Sequence, residues 1–156
     1  MSEQDIRWIQ RFNNYQKALK RLTAAVEIGI YNMSDLEKEG VIQRFEYTYE
    51  MAWKTLQDFV IENGYKGERG KQKLIIIHAA SIGYINEEQW QEMIHSRNQM
   101  AHDYDEEKMN EVIEKIVDRY FHLFIQLETR LQVEKLKRQN LGPQLQMPLD
   151  NEGDDE

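Results

Sequence analysis

No proline occurs before Pro143, and in the stretch ahead of it apolar residues recur at steps of three and four. Proline is the strongest interrupter of a helix, and a three-four step puts side chains on one face of a 3.6-residue turn. Trp8, Phe12, Tyr15, Leu19, Leu22 and Val26 form the first such stripe, which predicts a helix ending near Gly29. Ser34 with Glu37 three residues on has the spacing of a capping box, opening a second helix. Its stripe is Ile42, Phe45, Tyr49, Ala52, Leu56 and Phe59, and Asn63-Gly64 supplies a stop.

A glycine-rich loop from Gly64 to Gly70 follows, then a third helix over Lys71 to Ile82, ended by Gly83. Asn86 with Gln89 opens a fourth helix, running through about Ala101. A fifth carries Met109, Ile113, Ile116, Tyr120, Leu123 and Leu127, and reaches about Lys137. No alternating strand pattern and no internal repeat is present. The expected fold is all-α, an antiparallel bundle of about five helices over residues 1–138. Trp8, Phe12, Phe45, Tyr49, Trp53, Phe59, Tyr120 and Phe124 imply either a wide core or a core plus a dimer face.

Charge separates the end of the chain from its body. The formal net charge is −8, but Gln139 to Glu156 hold five acids and no base. Without them 23 acids face 20 bases, a net of −3. Residues 139–156 therefore read as a disordered acidic tail. The body offers no broad basic surface for duplex DNA, so any nucleic-acid contact must be local. Cysteine is absent, which excludes disulfides and zinc-thiolate sites and fits a reducing compartment. The opening MSEQDIRW lacks the pattern of a signal peptide. The longest apolar stretch, Leu74 to Ile85, is far short of the ~20 residues of a membrane span. The expectation is a cytoplasmic protein with no membrane segment.

Two features invite a ligand-binding reading and do not sustain it. The loop Gly64-Tyr-Lys-Gly-Glu-Arg-Gly-Lys71 departs from a phosphate loop, with Tyr65 at the first glycine position and Gln72 where Ser or Thr belongs. His78 and His122 read as hydrogen-bonded structural histidines, and no histidine spacing suggests a metal site or any cofactor.

The informative string is His95-Ser-Arg-Asn-Gln-Met-Ala-His-Asp-Tyr104. Arg97 falls on the stripe Trp90, Ile94, Arg97, Ala101, where an apolar residue belongs. A guanidinium there needs a charged partner or a wet cleft. His102 lies five residues on, about 140° around a regular helix, so the two converge only if the helix ends near Ala101 or a second copy of the chain contributes. Arg97 is thus a site residue or an interhelix salt bridge. His102 is a catalytic residue or a helix C-cap. His95 reads as structural.

This string resembles the HEPN superfamily, whose mark is Arg-x4-6-His near the end of an inner helix. It looks most like the prokaryotic nucleotidyltransferase substrate-binding proteins and the HepT toxins. Arg44-Phe-Glu-Tyr-Thr-Tyr-Glu-Met-Ala-Trp-Lys-Thr-Leu56 resembles the second-helix signature of that subfamily, and the likeness covers roughly Ile6 to Leu131. The resemblance implies a homodimer dimerising through the bundle, with paired motifs at the interface, and an MNT-type nucleotidyltransferase as partner. Two activities are implied: a metal-independent endoribonuclease acting as a toxin, or a non-catalytic subunit that binds a nucleotide or the partner's substrate. Tyr104 matches the tyrosine that receives AMP in the toxin branch.

RNA cleavage without metal needs a base for the 2′-hydroxyl and an acid for the leaving 5′-oxygen, and histidine serves both near neutral pH. It also needs a cation on the phosphorane, which Arg97 supplies with bidentate geometry. A two-fold dimer brings two histidines and two arginines to one cleft. Asn98 orients a phosphate or a helix end. Asp103 accepts from His102 or caps the next helix.

Overall fold

The computed structural model describes residues 3–100 and 105–146. Six α-helices occur there, and no strand is present among the described residues. They are α1 (Glu3–Val26), α2 (Asp35–Glu62), α3 (Gln72–Ser81), α4 (Glu87–Met100), α5 (Glu106–Lys115) and α6 (Phe121–Gln146). A 3-10 turn, Ile30–Asn32, joins α1 to α2, and a π-helical segment, Ile116–Tyr120, joins α5 to α6.

The helix ends follow local chemistry. The Ser34 side chain accepts from the Glu37 amide at 3.1 Å, and the Glu37 carboxylate accepts from the Ser34 amide at 2.9 Å, which closes the capping box. Asn86 Oδ1 accepts from the Gln89 amide at 2.9 Å. Gly64, at φ +98°, lets the Tyr65 amide turn back to the Val60 carbonyl at 2.9 Å, and Gly83, at φ +89°, does the same for Tyr84 and Ala79 at 3.1 Å. These six-to-one bonds use carbonyls that a helix end would otherwise leave bare. Asp105 caps α5, accepting from the Lys108 amide at 2.8 Å. The cap is therefore Asp105, and Asp103 lies outside the described residues.

Cross-helix contacts define the topology. Arg11 meets Asp58 and Arg44 meets the Arg21 carbonyl, so α1 and α2 run antiparallel. Gln16 meets Gln132 and Lys135 meets Asn13, so α6 is antiparallel to α1. Trp90 meets Phe124 and Ser96 meets Tyr120, so the α5–α6 rod is antiparallel to α4.

The eight aromatics named from the sequence all face the interior of a single chain. Trp8 packs edge-on against Phe59 at 5.0 Å, Phe45 stacks on Tyr120 at 5.7 Å, and Trp90 stands edge-on to Phe124 at 5.9 Å. A wide core accounts for them without a second subunit. Each buried large apolar side chain contributes about 1.5–3 kcal/mol, against about 0–1 kcal/mol for an exposed ion pair. The aromatic layer therefore holds the bundle.

Two expectations about the last helix need correction. It is not one uniform α-helix, because Ile116–Tyr120 is wound as a π-turn that resets the register between the two halves of its stripe. It also continues through Gly142-Pro143 to Gln146, beyond the expected end at Lys137. Extending a formed helix costs far less than starting one, so the stretch is carried on by the packed turns before it. Residues 147–156 of the acidic tail lie outside the described residues.

Candidate functional site

Arg97 lies in the last turn of α4, which ends at Met100. The buried stripe of that helix is Trp90, Met93, Ser96 and Met100. Arg97 is therefore not in a core position, as the sequence stripe suggested, but at the edge of the core, with its side chain 25% exposed. The one-residue shift leaves the guanidinium in partial contact with water.

Two residues of α2 seat it. The guanidinium carbon stands 4.8 Å from the centre of the Tyr49 ring, within cation–π range. Nη2 is 3.8 Å from Glu50 Oε2, too long for a hydrogen bond and close enough for an ion pair. Arg97 Nε is buried and has no hydrogen-bond partner among the described residues. Glu50 is shared further: Trp53 Nε1 donates to Oε2 at 3.4 Å, and Lys54 Nζ is 3.3 Å from Oε1. The arginine is thus positioned by a ring face and a distant carboxylate, with most of its donors uncommitted among the described residues.

The seat itself is rigid. Tyr49 is buried, and its hydroxyl donates to Gln72 Oε1 at 2.7 Å, tying α2 to the start of α3. Burial raises the Tyr49 phenol well above its ordinary range; Arg97 opposes this and Glu50 adds to it. The ring therefore stays neutral and offers its π-face to the cation. Beside Arg97, Ser96 Oγ and the Tyr120 hydroxyl share a hydrogen bond at 2.6 Å. The π-turn thus delivers Tyr120 to the helix that carries the candidate site.

Of the site residues named from the sequence, Arg97 and Asn98 are described, and Asn98 is exposed on α4. His102, Asp103 and Tyr104 lie outside the described residues. His95 is exposed. His78 does not match its expected role: Nε2 is buried without a hydrogen bond, and the ring stands edge-on to Tyr65 at 5.4 Å. His122 is exposed, edge-on to Phe121 at 5.6 Å. Sequence reasoning missed Tyr49 and Glu50 as partners of Arg97. Tyr49 was absorbed into the core stripe, and the one signal for Glu50 was its place in the Arg44–Leu56 run.

Among the described residues no group of three or more His, Asp or Glu side chains is placed to hold a metal ion. No helix among them is long and apolar enough to cross a membrane. The family described as "nucleotidyltransferase substrate binding protein like" matches residues 10–133. No curated protein matches the chain.

Proposed function

Because this chain belongs to the nucleotidyltransferase substrate binding protein like family, we propose that it is the partner subunit of a small cytoplasmic nucleotidyltransferase and a metal-independent endoribonuclease of the HepT kind. The observation that carries this reading is Arg97: a guanidinium oriented by Tyr49, loosely paired to Glu50, with Nε unsatisfied among the described residues. A purely structural arginine would be closed by its carboxylate. This one is held ready for a further oxyanion.

In the proposed reaction His102 takes the proton from a ribose 2′-hydroxyl. The 2′-oxygen attacks the adjacent phosphorus, and the bond to the 5′-oxygen breaks. A second histidine, from the other copy in a homodimer, returns a proton to that 5′-oxygen. The products are a 2′,3′-cyclic phosphate and a free 5′-hydroxyl. Arg97 lies against the phosphorane oxygens, where charge accumulates. Asn98 orients the phosphate, Asp103 sets the tautomer of His102, and Tyr104 is the residue the partner modifies with AMP.

A second reading has its own support. The body carries a net charge of only −3, and Glu50 lies beside Arg97, which suits a small nucleotide better than a long RNA. In that reading the chain presents substrate to the nucleotidyltransferase without cleaving it. Growth after induction without a partner separates the two. Wild-type toxicity, with His102→Ala and Arg97→Ala harmless, supports the ribonuclease. Three harmless proteins, each expressed and folded, support the binding subunit.

A further inference from the structure

A second charged cluster lies further along α2. Asp58 is 1% exposed, and Oδ2 accepts from Arg11 Nε of α1 at 2.8 Å. Arg69, from the loop between α2 and α3, brings Nη1 to 3.6 Å from Asp58 Oδ1, which has no hydrogen bond. The Arg11 and Arg69 side chains are 42% and 50% exposed. Apart from these contacts neither guanidinium has a partner among the described residues.

The donor-to-acceptor ratio separates this cluster from an ordinary structural one. Arg138 is a single cation among three carboxylates, Asp5, Glu62 and Glu134, with Asn63 Oδ1 accepting as well at 3.1 Å. Acceptors are in excess there, and the cation is consumed. At Asp58 one carboxylate serves two arginines. It fixes their positions and leaves a net positive charge with most donors facing solvent. The loop is pinned beside it, because the Gly70 amide donates to Gln57 Oε1 at 2.6 Å.

The placement of the cluster relative to Arg97 gives it a use. Glu50, Lys54 and Asp58 occupy successive turns of α2, so Asp58 lies about 12 Å along the axis from Glu50 and about 80° around it. Lys54 stands between them on Glu50. Cationic groups therefore recur along α2, spread over about a quarter of its circumference, at a spacing bridged by a chain of phosphates and not by a single one. Planar guanidinium forks match phosphate oxygens, and an otherwise acidic molecule has to concentrate such contacts locally.

We propose that Arg11 and Arg69, held by Asp58, form a second phosphate subsite, so that a single-stranded RNA engaged at Arg97 continues along α2 to this clamp. Asp58 is a positioning residue, and the two arginines are the contacts. This rests on the ribonuclease reading of Arg97, and the test separates the two.

The experiment measures binding of a fluorescent single-stranded oligoribonucleotide of mixed sequence to the full-length protein across a salt series. Arg69→Gln is the decisive variant, because its contact is longer than a hydrogen bond and does not hold the fold. It should weaken binding about tenfold and make the log–log salt slope shallower by about 0.7 for the lost phosphate contact. Arg11→Gln should do the same, with its melting curve recorded because it also partners a buried carboxylate. Unchanged affinity and slope in Arg69→Gln, with Arg97→Ala weakened, overturns the subsite and leaves the Arg97 reading standing. Weakened Arg69→Gln with Arg97→Ala unchanged does the reverse. No binding by the wild type overturns both. Unchanged RNA binding in Arg69→Gln together with a weakened complex with the nucleotidyltransferase assigns the clamp to a protein partner and overturns the RNA subsite.

Discussion

At the scale of single residues, Arg97 is defined by what does not close on it. Its Nη2 stays 3.8 Å from Glu50 and its Nε has no partner among the described residues, while the guanidinium lies over the Tyr49 ring. A cation–π seat contributes about 0.5–2 kcal/mol depending on desolvation, enough to choose a rotamer without using any N–H donor. Tyr49 therefore has two separable functions. Tyr49→Phe keeps the ring and loses the bond to Gln72, so it should cost about 1 kcal/mol in a urea melt and leave the proposed RNA cleavage unchanged. Tyr49→Leu removes the seat and should lower cleavage severalfold. Equal cleavage by the two variants would show that the ring face does not position Arg97. The arginine was legible in the sequence as a charge out of place on an apolar stripe. Its partners were not, because they lie on a helix 47 and 48 residues earlier and only folding brings them together.

At the scale of elements, the termini are encoded locally. Ser34 and Glu37 specify the start of α2 by their own hydrogen bonds, and Gly64 and Gly83 specify helix ends by adopting positive φ. Ser34→Ala should destabilise the protein by about 1 kcal/mol, read as a lower midpoint in thermal or chemical unfolding with activity per folded molecule retained. A midpoint equal to that of the wild type would mean that the cap is not holding the start of α2. The π-turn at Ile116–Tyr120 was not legible. A three-four stripe is compatible with either winding, and the extra residue is absorbed where Tyr120 must meet both Phe45 and Ser96. The choice belongs to packing, not to propensity.

At the scale of the whole molecule, the bundle is tied at one end by Arg138. This residue of α6 joins Asp5 of α1 and Glu62 of α2 and pairs with Glu134 in its own helix. Asp5 is buried and also accepts from Trp8 Nε1 at 2.8 Å, and the Tyr84 hydroxyl donates to Glu134 at 3.0 Å. Arg138→Met leaves these carboxylates together without their common cation, and should cost about 2–4 kcal/mol at neutral pH. A variant as stable as the wild type in a urea melt would show that the cluster is solvated well enough to do without the arginine. The same comparison separates this closed cluster from Asp58, where cations exceed carboxylates.

The sequence by itself determined the helical class, the antiparallel packing of the long helices, the apolar face of each and the caps that open and close most elements. These rest on spacing within one segment and on hydrogen bonds between near neighbours, which need no knowledge of distant chain. Only the tertiary structure decided that Arg97 sits at the edge of the core and not inside it, that Tyr49 and Glu50 seat it, and that Asp58 gathers Arg11 and Arg69. Each of these joins residues far apart in the chain, and their energies depend on burial and on charge separations that exist only after the helices have packed.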